Sequence, residues 1–373
     1  MINQQTCCGC EVCKNTCPKN AITVETNGKG FYVASIDSAL CIECNLCEKV
    51  CPMLNINTNT SVQKVYAAIN KDQSIVQNSS SGGVFYQLAT AVISKGGVVS
   101  GVEYDNNLNA IHTITDNPEG VAKYFGSKYV QSRNNIFTEI KNRLLNDETV
   151  LYSGTPCQVA AVKNYISEIE KGTLYTVEVL CHGVGCPQIF SEHISTFDDL
   201  LSVNFRDKSK QTPTVAYVGK KETVTIDFNL DNYANGFNRC ILVNDVCFNC
   251  PYATTPRSGD ITIGDFWKGP TAEEIIGATD AASLPKGVSL VLINSEKGKL
   301  LWEAIKDDLF YMESDIETAK KGNRTLYAPS IRNRSYKLFW NCYKHFGYRV
   351  SMNLFCASPI YKMKYYLSRR IHS

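Results

Sequence analysis

Cys7-Cys8-Gly9-Cys10-Glu11-Val12-Cys13-Lys14-Asn15-Thr16-Cys17-Pro18 is followed later in the chain by Cys41-Ile42-Glu43-Cys44-Asn45-Leu46-Cys47-Glu48-Lys49-Val50-Cys51-Pro52. Both stretches read C-x2-C-x2-C-x3-C-P. At this spacing the first three cysteines of each motif supply three corners of a [4Fe-4S] cubane, and the fourth, after the turn, reaches across to the other cluster. One cluster is therefore expected on Cys7, Cys10, Cys13 and Cys51, and a second on Cys41, Cys44, Cys47 and Cys17. Cys8 fits no ligand position. Pro18 and Pro52 redirect the chain after the last ligand, and Gly9 lets the backbone pass close to inorganic sulfide. Two structural zinc sites are the alternative, but zinc motifs rarely place four cysteines at this spacing and then repeat it.

Between the motifs, Ile22-Thr23-Val24 and Phe31-Tyr32-Val33 flank Asn27-Gly28 and read as a hairpin bridging two halves of one module. Residues 1–60 thus form an α+β ferredoxin-like two-cluster module. The whole chain has 373 residues, 44% apolar and 20% charged, enough for about two or three domains with cores of their own. No run approaches the ~18 to 20 apolar residues of a membrane span, and the N-terminus carries no basic and apolar leader, so the protein is expected in the cytoplasm. In that reducing setting seventeen cysteines, nine of them within residues 7–51, point to metal rather than to disulfides.

After an Asn- and Thr-rich linker, Asn55 to Gln63, strands and helices alternate, which predicts an α/β domain over residues 61–320 with parts 61–145 and 146–320. Strands are expected at Val65–Ile69, Val98–Tyr104, Ile111–Thr115, Val150–Ser153, Leu174–Leu180, Val224–Phe228, Ile261–Ile263 and Val288–Ile293. Helical periodicity covers Val84–Ser94, Ile136–Leu145, Gln158–Ile166, Pro187–Phe197 and Glu296–Asp307.

Three segments carry chemistry here. Ser79-Ser80-Ser81-Gly82-Gly83 opens a helix with hydroxyls, flexible backbone and a positive dipole end, which suits a phosphate or, more plainly, a serine cap. Thr155-Pro156-Cys157 lies where a strand meets a helix N-terminus, a place that binds anions and activates thiols, and Cys157 is a candidate ligand, a reactive thiol or a packing residue. Cys157, Cys181, Cys247 and Cys250 can close a further cluster, with Cys186 and Cys240 as substitutes; the Cys247/Cys250 pair equally suits zinc, a redox dithiol or simple packing. Asp265, at a strand end, orients a ligand or side chain, or forms a turn.

Ser79–Phe85 (SSSGGVF), Gly126–Ser132 (GSKYVQS), Ser153–Val159 (SGTPCQV), Cys181–Gly183 (CHG), Cys247–Ala253 (CFNCPYA) and Gly259–Trp267 (GDITIGDFW) together resemble the beta-subunit family of coenzyme F420 hydrogenases and dehydrogenases, in the version with an N-terminal two-cluster ferredoxin domain. The resemblance implies that residues 61–320 form a flavin-binding α/β domain holding FAD, with the Ser79–Gly83 loop at its phosphates. It also implies a third [4Fe-4S] cluster, for which the four cysteines above become plausible ligands. Lys128 and Tyr129 become candidates to contact the flavin, and His112 or His182 to donate a proton to substrate. Clusters carry single electrons while hydride chemistry needs two, and a flavin converts between them. The expected activity is an iron-sulfur flavoprotein oxidoreductase that takes electrons from a redox partner protein or low-potential donor and acts on a small-molecule substrate. The alternative is a non-catalytic electron-transfer partner in a polysaccharide-assembly or pyruvyl-transfer system.

From Lys320 onward the chain carries twelve Lys and Arg and no Asp or Glu, so that, with a net charge of +2 overall, residues 1–319 carry −10. Tyr336, Phe339, Trp340, Tyr343 and Phe346 recur at helical spacing, and a second aromatic stretch runs from Tyr361 to Arg370. Residues 321–373 are expected to form a basic helical C-terminal tail. Its aromatics either pack on the acidic body or rest on anionic lipid at the inner face of the membrane. No nucleic-acid motif accompanies the charge.

Overall fold

The computed structural model describes residues 3–59, 61–210, 212–277, 286–357 and Met363. In the N-terminal module, β1 (Ile22–Thr26) and β2 (Tyr32–Ile36) pair antiparallel, Ile22 opposite Ile36. The connection is wider than the Asn-Gly turn expected. It spans residues 27–31, closed by the Asn27 amide donating to the Phe31 carbonyl at 2.9 Å, while Asn27 Oδ1 accepts from the Lys29 and Phe31 amides. Two short helices, Val12–Thr16 and Leu46–Val50, carry the third cysteine of each motif, Cys13 and Cys47.

Next come β3 (Lys64–Asn70), β4 (Val98–Tyr104), β5 (Ala110–Thr115), β6 (Thr149–Gly154) and β7 (Thr173–Val179). A separate antiparallel sheet follows, of β8 (Leu200–Asp207), β9 (Thr214–Gly219) and β10 (Thr223–Asp227). The chain then returns with β11 (Ile261–Asp265), β12 (Ser289–Ile293) and β13 (Leu309–Ser314). The large sheet runs β13-β3-β12-β11-β7-β6-β4-β5, with β11, β7, β6 and β4 parallel. Its central strands are buried on both faces, which is why Val150-Leu151-Tyr152 is a continuous apolar run and not an alternating one.

Val99, Leu151 and Val177 face Val84, Leu88 and Val92 of the helix Val84–Ile93, and Trp302 and Ile305 of the helix Glu296–Ile305. Val98, Val150 and Leu174 face Phe137, Ile140, Val159 and Val162 of the helices Phe137–Leu145 and Pro156–Tyr165. The result is a three-layer α/β domain. The linker expected at residues 55–63 lies along it: the Asn59 amide donates to the Arg257 carbonyl at 2.7 Å and Ser258 Oγ to the Asn57 carbonyl at 2.7 Å.

The small sheet builds another core. Phe205, Val215 and Tyr217 pack with Tyr233, Ile189 and Phe190, and with Tyr336, Phe339, Trp340 and Met352 of the helix Tyr336–Phe355. Three of the tail aromatics are therefore interior residues, whereas Phe346 is 68% exposed. The second aromatic stretch, apart from the exposed Met363, lies outside the described residues. Among the described residues no helix is long and apolar enough to cross a membrane.

Candidate functional site

Cys7, Cys10, Cys13 and Cys51 line one cavity in the N-terminal module, three from the first motif and one from the second. The loop geometry explains how: Gly9, Glu11, Glu43 and Asn45 all adopt positive φ, turning the thiols inward. The Gly9 and Ala34 amides donate to Cys7 Sγ at 3.4 Å, and the Ala21 amide to Cys17 Sγ at 3.4 Å. Cys17 packs in one apolar cluster with Cys47, the arrangement expected of the crossed fourth ligand. Burial, and then the charges of Cys7 and Cys51, push the Cys13 thiol up to about 12. Thiols that would repel one another as thiolates are stabilised when a cationic iron-sulfur core lies between them, so this donor set suits a cluster.

Gly9 has a second constraint that the sequence did not reveal. A Cβ there would lie 2.2 Å from Gln131 Nε2 and 2.4 Å from the Tyr32 carbonyl. Gln131 staples the module to the α/β domain, accepting from the Tyr32 amide at 2.7 Å and donating to the Cys8 and Tyr32 carbonyls at 3.1 Å. Beside it the fully buried Glu11 carboxylate pairs with Arg133 and accepts from the Asn134 amide at 3.2 Å. Tyr252 OH donates to the Pro52 carbonyl at 2.6 Å on the other motif.

A second set of thiols stands at the C-terminal edge of the large sheet, where open α/β sheets bind ligands. Cys157 occupies the first turn of the helix Pro156–Tyr165, Cys181 follows β7, and Cys247 and Cys250 lie within and just after the short helix Asp245–Asn249. Burial, then Cys157, drives Cys181 up to about 12 and Cys250 to about 11; Cys247 is raised further by burial and by Cys181, Cys157 and Cys250. The four form one mutually interacting group. Cys186 and Cys240 are not part of it: Cys186 donates to the Lys29 carbonyl at 3.0 Å inside the core, and Cys240 packs with Phe237 and Val243. Among the described residues no three His, Cys, Asp or Glu side chains are drawn together as ligands of a single ion. A cubane distributes its ligands over four irons and needs no such convergence.

This group is held by features the sequence did not flag. Gly183 has φ of 130°, and a Cβ on it would lie 2.3 Å from Val243 Cγ1, which keeps the Cys-His-Gly turn pressed onto the Cys247 loop. Arg257, fully buried, donates to the Tyr252 and Thr254 carbonyls at 2.9 and 3.0 Å and pairs with buried Glu178 on β7. Thr155 caps its helix in a box with Gln158 and meets Cys157 Sγ at 3.2 Å, so it serves the thiol rather than an anion.

The Ser79–Gly83 loop lies on the same edge, after β3. Much of it is occupied internally: Ser81 Oγ donates to the Val288 carbonyl, the Gly82 amide donates to Ser289 Oγ, and Ser80 Oγ contacts Ser127. Gly83 caps the following helix, and Ser79 Oγ lies close beside it. Beneath the loop, Lys208 donates to the Ser81 and Val76 carbonyls at 2.6 and 2.7 Å, and burial, reinforced by Arg206, lowers it to about 8. Arg206 pairs with Asp265 at 3.1 Å and reaches Tyr129 OH at 3.4 Å. Asp265 thus orients a side chain. Lys128 is directed elsewhere, donating to the Lys123 and Phe125 carbonyls. The Tyr129 ring stacks on Phe237 at 4.8 Å, and Phe237 meets His182 at 4.6 Å, so packed rings join the basic pocket to Cys181.

Neither histidine is placed as a charged acid. Burial lowers both His182 and His112 to about 4. His112 stacks on Tyr152, and both its ring nitrogens lack a hydrogen-bond partner, although Gln158 acts in the opposite direction on its pKa. Because the folded value lies below the ordinary one, the unfolded chain binds the proton first on acidification. Near pH 7 the penalty is absent; as pH falls from ~6.5 to ~4, His112 removes about 3 kcal/mol of stability. Urea unfolding of wild type and His112→Phe should diverge across that window, and parallel pH profiles would refute this account.

Comparison with known proteins bears on these sites. Residues 147–319 match the model for the C terminus of the coenzyme F420 hydrogenase/dehydrogenase beta subunit, and residues 6–55 match that of the 4Fe-4S dicluster domain. The chain belongs to the coenzyme F420 hydrogenase/dehydrogenase beta-subunit family. All four thiols of the second set, with Arg206, Lys208 and Asp265, fall within the first match; the eight motif cysteines fall within the other. Among solved structures, the chain is similar to one from the F420-reducing [NiFe] hydrogenase complex of Methanosarcina barkeri, studied by xenon derivatization. The two are 16% identical, with a TM-score of 0.48, over 70% of this chain and 85% of that one. No curated protein matches. This family member is an iron-sulfur protein of electron-transfer type.

Proposed function

We propose that the protein is an iron-sulfur flavoprotein oxidoreductase, in which electrons from a low-potential donor enter at the N-terminal clusters and an FAD at the C-terminal sheet edge exchanges them with a small organic substrate. The observation that carries this reading is the continuity of the edge. Four buried thiols, the rings of His182, Phe237 and Tyr129, and a pocket holding Arg206 and Lys208 follow one another without a break.

Bound FAD supplies the interchange between one- and two-electron chemistry. Arg206 and Lys208 put two cationic side chains beside a helix N-terminus, with Asp265 opposite the first, so the pocket favours an anionic phosphate group. Tyr129 and Trp267, the latter beneath Arg206, offer ring surface at the same place. Cys157, Cys181, Cys247 and Cys250 would hold a third [4Fe-4S] cluster, and Arg257 acts to lower Cys181 and Cys250 toward the thiolate form that iron requires.

A second reading, a flavin-free electron-transfer partner in a polysaccharide-assembly or pyruvyl-transfer system, is favoured by the internal hydrogen bonds that already engage Ser81 and Gly82. Iron, sulfide and flavin quantitation on protein purified without oxygen separates the two. The oxidoreductase requires about twelve irons and about one flavin per chain. Arg206→Ala should then lose the flavin and keep the iron. About eight irons and no flavin would overturn the first reading in favour of the second.

A further inference from the structure

Cys8 has no place in the ligand pattern, yet it is no surface thiol. Its carbonyl is held by Gln131 Nε2 at 3.1 Å, and its side chain packs in the apolar cluster formed by Cys10, Val12, Val159 and Val162. That cluster is the seam between the helix Val12–Thr16 of the N-terminal module and the helix Pro156–Tyr165, whose first turn carries Cys157. The Cys8 thiol is within hydrogen-bonding reach of Cys10 on one side and Cys157 on the other. Tyr252, pinned to Pro52, is close enough to Cys157, Cys8 and Cys10 to respond to the charge of all three, which places the three sulfurs in one neighbourhood. Cys8 also lines the cavity of Cys7, Cys10, Cys13 and Cys51.

We propose that Cys8 is a bridging thiol between two iron-sulfur sites: it ligates no iron, and it makes hydrogen-bonded sulfur contact with Cys10 of the first ferredoxin cluster and Cys157 of the third cluster. The inference rests on the third-cluster reading given above. Its geometry excludes the simpler role of an extra ligand. Cys181, Cys247 and Cys250 interact with Cys157 and, in part, with one another, whereas the contacts of Cys8 in that direction stop at Cys157. In the N-terminal cavity the four ligand positions are already filled. A thiol has one S–H to donate, and a hydrogen bond to a ligand sulfur stabilises the more negative, reduced cluster and raises its potential. The contact itself forms and breaks no bond, and Cys8 is neither oxidised nor reduced.

The test uses the full chain, purified without oxygen, as wild type, Cys8→Ala and Cys8→Ser, with iron counted and each cluster followed by EPR during a redox titration with dithionite. The expected result is an unchanged iron content in all three, a shift of one cluster midpoint to more negative potential in Cys8→Ala, and a smaller shift in Cys8→Ser, which keeps a donor. A loss of about four irons in Cys8→Ala would make Cys8 a ligand and overturn the proposal. Unchanged midpoints with full iron would show an inert packing thiol and overturn it too. A wild type holding only about eight irons would instead remove the third cluster, and the bridge with it.

Discussion

Replacing Cys51 by serine is expected to abolish the same cluster as replacing Cys13, and to leave the cluster that depends on Cys47. The two residues belong to different motifs, but Cys51 shares a cavity with Cys7, Cys10 and Cys13. Each variant should lose about four of the N-terminal module's eight irons. Cys17→Ser should pair with Cys47→Ser in the same way, since Cys17 and Cys47 lie in one apolar cluster. EPR of the reduced proteins decides it: Cys51→Ser and Cys13→Ser must lack the same signal. If Cys51→Ser instead matched Cys47→Ser, the ligands would not cross between motifs.

The other large effect is expected at Glu178. Its carboxylate accepts from Arg257, from the Ser258 and Gly259 amides at 3.0 Å and from Thr262 Oγ1 at 2.9 Å, all inside the sheet domain. Glu178→Ala leaves a buried guanidinium without its counter-charge and two amides without an acceptor, at a cost of about 3–5 kcal/mol. Glu178→Gln keeps the shape and part of the hydrogen bonding and should cost less. Denaturant titration at fixed pH measures both. Because Arg257 also holds the Tyr252 and Thr254 carbonyls, Glu178→Ala should loosen the segment after Cys250 and reduce iron beyond the N-terminal clusters. A stability change under about 1 kcal/mol would show that the pair is replaceable.

What the sequence disclosed depended on how much chemistry each residue advertised. The cysteine spacing names its ligands because only a few geometries satisfy four thiols on short loops. The central strands were legible because burial on both faces enforces apolar runs, and Val98–Tyr104 was placed with its observed bounds. The strands Leu200–Asp207 and Thr214–Gly219 were missed. Leu200 and Ser202 flank a register shift, and the first strand exposes Leu201, so neither apolar continuity nor strict alternation marks it. Arg206 and Lys208 were missed with it, since a lysine and an arginine on an unrecognised strand look like solvated charge. The strand Leu309–Ser314 lies at the sheet edge, where half its side chains face water. Gln131 carries no catalytic signature, and its importance is visible only where Gly9 leaves room for it. The serine loop was read for its hydroxyls, but several of these are engaged by residues far along the chain, such as Val288, which local pattern cannot show.

The stapling of the N-terminal module by Gln131, by the Glu11–Arg133 pair and by Tyr252 has a kinetic meaning. A ferredoxin that diffuses must find its partner, so its delivery of electrons is second order and slows as salt screens the encounter. Here the encounter has been made once, during folding, and is kept by buried hydrogen bonds that salt screens little. Transfer from the module into the body of the protein is first order, indifferent to protein concentration and to ionic strength. Only the arrival of electrons from outside retains the character of a collision.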